Sequence, residues 1–151
     1  MNNLVSIRLA LPSEREELEA LQLRSSLRNP GDRDALVANP DAIVLPIEQI
    51  AAEQVFIAEI GDKIVGFAAV LPRPDGDTEL DGLFVEPANW RQGIGRSLVD
   101  RCGDYAIARN STALYVVGNQ HAKGFYEACG FEVLGMTGTR FGAGSLMRKR
   151  L

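Results

Sequence analysis

The feature of this 151-residue chain that most narrows its fold is the octet Trp90-Arg91-Gln92-Gly93-Ile94-Gly95-Arg96-Ser97, set directly between a strand pattern and a helix pattern. Thr78 to Val85 reads as a strand. After Glu86-Pro87 the apolar period changes from two to about 3.6, with Ile94, Leu98, Cys102 and Tyr105 on one stripe and Arg96, Asp100 and Asp104 on the other. This predicts a helix from Gly93 to Arg109. Glycine at 93 and 95 removes the Cβ atoms that would block a close approach. The first-turn amides can then converge on an anion, and the helix dipole adds roughly half a positive charge there. The residues thus offer a phosphate cradle.

Two common phosphate loops are excluded by their discriminating residues. A dinucleotide fingerprint requires a third glycine near Leu98 and an acid at the end of the next strand, where Gly118-Asn119 stands instead. A Walker A loop requires Gly-Lys-Ser/Thr, whereas Gly95 is followed by Arg96-Ser97. Glycines that only let helix and sheet pack closely remain an adequate account of the pair taken alone.

The flanking chain supplies further elements. Val5 to Leu9 alternates as a half-buried strand, and Ser13 with Glu16 reads as a capping box that starts a helix. That helix turns Leu18, Leu21 and Leu27 inward and is expected to stop at Asn29-Pro30-Gly31. Between Asn29 and Glu53, Pro30, Pro40 and Pro46 break any long helix, though Ile47 to Ala52 suits a short one. Here Asp32, Asp34, Asp41, Glu48 and Glu53 face Arg33 alone, so the local charge equals the −4 of the whole chain. The segment reads either as a solvated acidic loop or as a lid that attracts a cation.

Gln54 to Ile60 and Lys63 to Leu71 form a hairpin about Gly61-Asp62, and Thr78 to Val85 extends it to a meander after the Pro72–Asp77 turn. Leu114 to Val117 is a short buried strand, followed by a helix carrying Ala122, Phe125, Tyr126 and Cys129 that ends at Gly130. Phe131 to Leu134 and Ser145 to Arg148 pair as a closing hairpin. The expected architecture is an α+β domain over 1–151, with a mixed, mostly antiparallel sheet of about seven strands and helices on both faces.

Length and composition agree. A chain of this size makes about one domain at the usual ~150 residues each. Its 46% hydrophobic and 24% charged residues suit a globule. Sixteen Lys and Arg against 20 Asp and Glu leave no basic surplus for a nucleic-acid backbone. No apolar run reaches the ~20 residues that span a bilayer, and the first residues do not form a secretion signal, so no membrane is expected and a cytoplasmic location is. Cys102 and Cys129 lack metal or disulfide spacing and read as buried thiols, and no metal is called for.

A second motif lies downstream: Asn119-Gln-His-Ala122-Lys-Gly-Phe125-Tyr126-Glu-Ala-Cys-Gly130-Phe131. Together with the Gly93–Gly95 loop it resembles the GNAT superfamily of acyl-CoA-dependent N-acyltransferases, over nearly the whole chain. In that family a Q/R-x-x-G-x-G/A loop binds the pyrophosphate of acetyl-CoA, and an N-x-x-A-x-x-F/L-Y-x-x-x-G-F segment follows one strand later. Trp90 departs from the pattern by standing where the family usually has Gln or Arg, with Arg91 beside it.

The resemblance implies that the amides of Gln92, Gly93, Ile94, Gly95, Arg96 and Ser97 hold the pyrophosphate. It implies that the backbone of Phe84 and Val85 pairs with the pantetheine arm like an added strand. Asn119 would anchor the same arm, or cap the following helix, or both. The reaction so implied is attack of an amine on the thioester of acetyl-CoA, the cosubstrate. An alkylammonium with a pKa of ~10.4 needs a base, and the departing thiolate needs a donor. The resemblance points to Tyr126 as that donor and to Glu79 as the base, with Asp81 as the alternative. No covalent intermediate is required, so neither cysteine serves as nucleophile.

The acidic segment favours a small cationic amine as acceptor. A protein lysine or N-terminal acetyltransferase, or a non-catalytic acyl-CoA sensor, are the rivals. The residues leave open whether the chain pairs as a homodimer.

Overall fold

Ile64 to Val70 is buried without a break, which is why this stretch reads as a continuous apolar run and not as an alternation. It forms most of strand β3 (Lys63–Pro72), paired antiparallel with β2 (Val55–Ile60) through a turn at Gly61, whose φ of +60° suits glycine. The computed structural model describes residues 4–39, 41–139 and 142–151. Its other strands are β1 (Val5–Leu9), β4 (Thr78–Val85), β5 (Ala113–Gly118), β6 (Glu132–Thr139) and β7 (Gly142–Arg150). The helices are α1 (Arg15–Ser26), α2 (Pro30–Ala38), α3 (Ile47–Ala51), α4 (Ile94–Ala108) and α5 (Lys123–Ala128). The seven strands form one sheet in the order β1-β2-β3-β4-β5-β7-β6. The pairs β1–β2, β5–β7 and β6–β7 are antiparallel, and β4 runs parallel to β5. This is the expected α+β architecture with a mostly antiparallel sheet.

Backbone contacts divide the chain into two compact units, Met1–Ala69 with Gly82–Leu98 and Val70–Asp81 with Val99–Leu151. In the first unit a core of Leu18, Leu21, Ile50, Val55, Ile57 and Phe67 is fully or almost fully buried, with Phe84 packed against it. Each such side chain contributes roughly 1.5–3 kcal/mol of burial free energy. In the second unit Leu80, Cys102, Ala106, Leu114, Val116 and Met147 are buried. Burial of the Cys102 thiol pushes its pKa up to about 12, so it stays protonated and unreactive at neutral pH. On α4 the sorting follows the sequence: Ile94, Leu98 and Cys102 lie inside, Tyr105 is half-buried, and Arg96, Asp100 and Asp104 are exposed.

Three expectations need correction. The capping box does not use Ser13 and Glu16. A 3₁₀ turn over Pro12–Glu14 precedes α1, and the Glu14 carboxylate accepts the Leu11 N–H at 2.8 Å while the Leu11 carbonyl accepts the Glu14 N–H at 2.9 Å. Glu14 wins because Arg8 also forks onto it, at 3.0 and 2.7 Å, and holds Glu59 at 2.9 Å with its Nε. Asn29-Pro30 does not end the helical stretch: α1 stops at Ser26, and Pro30 opens α2, since a first-turn position needs no N–H donor. The acidic segment is therefore partly helical, with Asp32 and Asp34 on α2, and α3 appears where a short helix was expected; Pro40 lies outside the described residues. Finally, β6 and β7 run several residues beyond 131–134 and 145–148.

Candidate active site

In the first unit, β4 ends at Val85, a 3₁₀ turn follows over Pro87–Asn89, and α4 begins at Ile94. Arg91 and Gly93 both adopt positive φ, +64° and +81°, and this reverses the chain into the helix. The Gly93 carbonyl accepts both the backbone N–H and the hydroxyl of Ser97, each at 3.1 Å. Ser97 thus donates both its backbone N–H and its hydroxyl inside the helix. The amides of the first turn ahead of it are the ones a helix leaves without an acceptor of its own. Gln92 is exposed and its side-chain amide oxygen Oε1 accepts from the Asn89 side-chain N–H at 3.4 Å.

The position of this turn is fixed from several sides. Gly66 of β3 lies so close that a Cβ there would stand 3.0 Å from the Phe84 carbonyl oxygen, 3.3 Å from Leu98 and 3.4 Å from Ile94. The Phe84 ring tilts against Phe67 with centroids 5.3 Å apart. The Glu86 N–H bonds to the Val65 carbonyl at 2.8 Å, and its carboxylate takes a two-pronged contact from Arg24 of α1, at 3.0 and 2.7 Å. Arg24 in turn holds the Glu86 carboxyl below the usual carboxylate range. The Trp90 indole N–H donates to the Val85 carbonyl at 2.8 Å, and the Arg28 guanidinium lies 5.9 Å from its ring centroid. Neither Gly66 nor the indole contact was anticipated. A lone glycine inside an apolar strand pattern is the signal that could have found the first.

In the second unit, Glu79, Tyr115 of β5, Arg148 of β7 and Glu132 of β6 are successive register partners, so they form a polar row across one face of the sheet. Glu79 is half-buried and Asp81, next on the same side of β4, is exposed. Burial, together with the Asp81 charge, pushes the Glu79 carboxyl above the usual carboxylate range, and Arg73 pulls it partly back. The Arg73 guanidinium lies over the Tyr115 ring, 3.9 Å from the centroid. The β4–β5 ladder joins Thr78, Glu79 and Leu80 to Leu114, Tyr115 and Val116.

Tyr126 belongs to α5 and lies over the other face. A Cβ on Gly118 would meet its ring at 3.1 and 3.2 Å and the Met147 sulfur at 3.7 Å. Phe125 and Phe131 meet the ring edge-on, with centroids 5.2 and 5.4 Å away. The helix ends through Gly130 at φ +96°, as expected, which lets the Phe131 N–H return to the Tyr126 carbonyl at 3.0 Å. Burial pushes the Tyr126 phenol well above its ordinary pKa, so it stays neutral and a donor. Tyr126 and Glu79 therefore lie on opposite faces of this part of the sheet and are not brought together side by side. Asn119 is half-buried, and its side-chain oxygen accepts the Ala122 N–H at 2.8 Å, which closes the turn ahead of α5; the N-cap of that helix is Ala122, with no side-chain bond, so the expected capping role does not fall to Asn119.

Residues 19–131 match the model of the acetyltransferase (GNAT) family, and the chain belongs to that family; it is an acetyl-CoA-dependent acyltransferase. Solved structures share the fold along nearly the whole chain. PaiA N-acetyltransferase from Thermoplasma acidophilum, in complex with coenzyme A, is 15% identical with a TM-score of 0.81, covering 97% of this chain and 99% of its own. A GCN5-related N-acetyltransferase from Rhodopseudomonas palustris is 23% identical with a TM-score of 0.78, covering 97% and 95%. The ribosomal-protein-S18-alanine N-acetyltransferase from Escherichia coli is 19% identical with a TM-score of 0.69, covering 97% and 94%. No curated protein matches in sequence. Among the described residues no helix is long and apolar enough to cross a membrane, and no three His, Cys, Asp or Glu side chains are gathered as a metal site requires.

Proposed function

We propose that the chain is one catalytic domain that transfers the acetyl group of acetyl-CoA directly to the primary amine of a small cationic molecule. The observation that carries the donor half is the turn between β4 and α4, where Gly93 at φ +81° presents first-turn amides within the stretch that matches the family. In this reading the amides from Gln92 to Arg96 hold the diphosphate, while Phe84, Val85 and Asn119 receive the pantetheine arm. Catalysis rests on positioning and on amide donors that polarise the thioester oxygen. Tyr126 donates a hydrogen bond to the departing sulfur and Glu79 takes the proton of the ammonium, directly or through water.

Support for a cationic acceptor is the excess of Asp32, Asp34, Asp41 and Glu48 over Arg33 in the segment containing α2 and α3. The test is thiol release from acetyl-CoA against a panel of polyamines, aminoglycosides, lysine peptides and free N-terminal peptides. Turnover concentrated in the cationic small molecules is expected. Turnover only with peptides, as the name of the Escherichia coli structure would suggest for that protein, overturns the acceptor class, and binding without turnover on any amine favours a sensor.

The base assignment has its own pH signature. Glu79 must be ionised to act, and its raised pKa moves the acid limb of kcat/KM above the ~4.3 of an ordinary glutamate. The rate falls as pH drops through that limb. Glu79→Gln is expected to remove the limb and cost roughly tenfold to a hundredfold in rate. An unchanged profile assigns the proton to Asp81 or to water.

A further inference from the structure

We propose that Trp90 is a positioning residue for the acyl donor: its indole N–H, by holding the Val85 carbonyl, fixes the edge of β4 on which the pantetheine arm is laid. The inference rests on the donor reading above and deepens it.

The argument starts from backbone directions. In a strand, successive residues turn their N–H and C=O groups to opposite edges. Glu86 bonds through its N–H to Val65 of β3, and the Phe84 carbonyl sits 3.0 Å from the Cβ position of Gly66, also on β3. Phe84 and Glu86 therefore face β3, and Val85 between them faces the other edge. On that edge the indole N–H reaches the Val85 carbonyl at 2.8 Å. The arm is then left the Val85 N–H as its contact at this residue, and the carbonyl is clamped in place.

The position that is polar in the pattern of the family is thus filled by a side chain whose single polar atom is already committed. Trp90 does not contribute charge to the diphosphate; it contributes geometry to the arm. Its own setting is stiff. The Trp90 N–H bonds to the Pro87 carbonyl at 3.3 Å, the Arg28 guanidinium lies 5.9 Å from the ring centroid, and Arg24 grips Glu86 on the same turn.

The two roles separate on two probes, coenzyme A and adenosine 3′,5′-bisphosphate, which carries phosphates and no arm. Trp90→Phe keeps an aromatic ring and deletes the N–H. It is expected to weaken coenzyme A about fivefold to tenfold by calorimetry, to leave the bisphosphate within about twofold, and to raise KM for acetyl-CoA while kcat at saturation stays within about twofold. Equal weakening of both probes, or of neither, overturns the proposal. A measurement on the intact wild-type chain removes any dependence on the folding of the variant. Trp90 is the sole tryptophan, so its indole N–H gives one NMR signal. That signal is expected to move with coenzyme A and to stay in place with the bisphosphate; movement with both alike, or with neither, counts against the arm role. Failure of the wild type to bind coenzyme A overturns the donor reading itself, which distinguishes that failure from this one.

Discussion

Tyr126→Phe is expected to lower kcat by roughly a hundredfold to a thousandfold while acetyl-CoA binding and thermal stability stay close to wild type. The ring is held by Phe125, Phe131 and the bare backbone of Gly118, so phenylalanine refills the same space and loses only the hydroxyl. The size of the effect follows from what the phenol can give. A coenzyme A thiolate released at neutral pH has a conjugate thiol near the ~8.5 of cysteine, and burial holds the phenol above the ~10 of free tyrosine. Complete proton transfer from the phenol is therefore uphill by roughly 2 kcal/mol or more. In the proposed reaction the group would act as a neutral hydrogen-bond donor that stabilises charge growing on sulfur, with the proton itself arriving from the amine. Steady-state kinetics with calorimetry on the same sample checks this. Full activity in the variant removes Tyr126 from the reaction, and a large fall in melting temperature makes its role structural.

Gly66→Ala is expected to be the most damaging single-methyl addition around the donor turn. The added Cβ would stand 3.0 Å from a backbone oxygen, that of Phe84, with Leu98 and Ile94 closing the remaining directions at 3.3 and 3.4 Å. A flexible side chain can give way, but a strand carbonyl moves only with its strand. The methyl should cost about 1–3 kcal/mol of stability and displace the end of β4 and the entry to α4. A rise of about tenfold in KM for acetyl-CoA would accompany the stability loss. Urea unfolding and initial rates at subsaturating donor measure the two. A destabilised variant with an unaltered KM would separate the Gly66 contact from donor binding.

The turn between β4 and α4 was legible in the sequence because its signals are local. Two glycines, a strand before them and a 3.6-residue period after them specify amides at a helix start without reference to anything distant. The meander was legible for the same reason, each turn being marked by its own glycine or proline. The relation of Glu79 to Tyr126 was not. It depends on the register of β4 against β5 and on which face α5 covers, contacts that join residues more than 35 positions apart. The start of α1 was misread because the choice between Ser13 and Glu14 is made by Arg8, a residue on another element. Proline misled at position 30, where the same ring that breaks a helix interior suits a helix start. The extensions of β6 and β7 run through Gly135, Gly138, Gly142 and Gly144, and nearly all of β6 is exposed, so no alternation announced them.

Arg24 of α1 and Arg28, in the turn just after that helix, both close on the stretch that follows β4, one through Glu86 and the other through Trp90. The acidic segment begins at the very next residue, Asn29. On the proposed placing of donor and acceptor, a lineage that reshapes this corner to accept a new amine would have to keep both arginines in register to keep its hold on the acyl carrier. Adaptation toward a different acceptor would be paced by what the donor will tolerate.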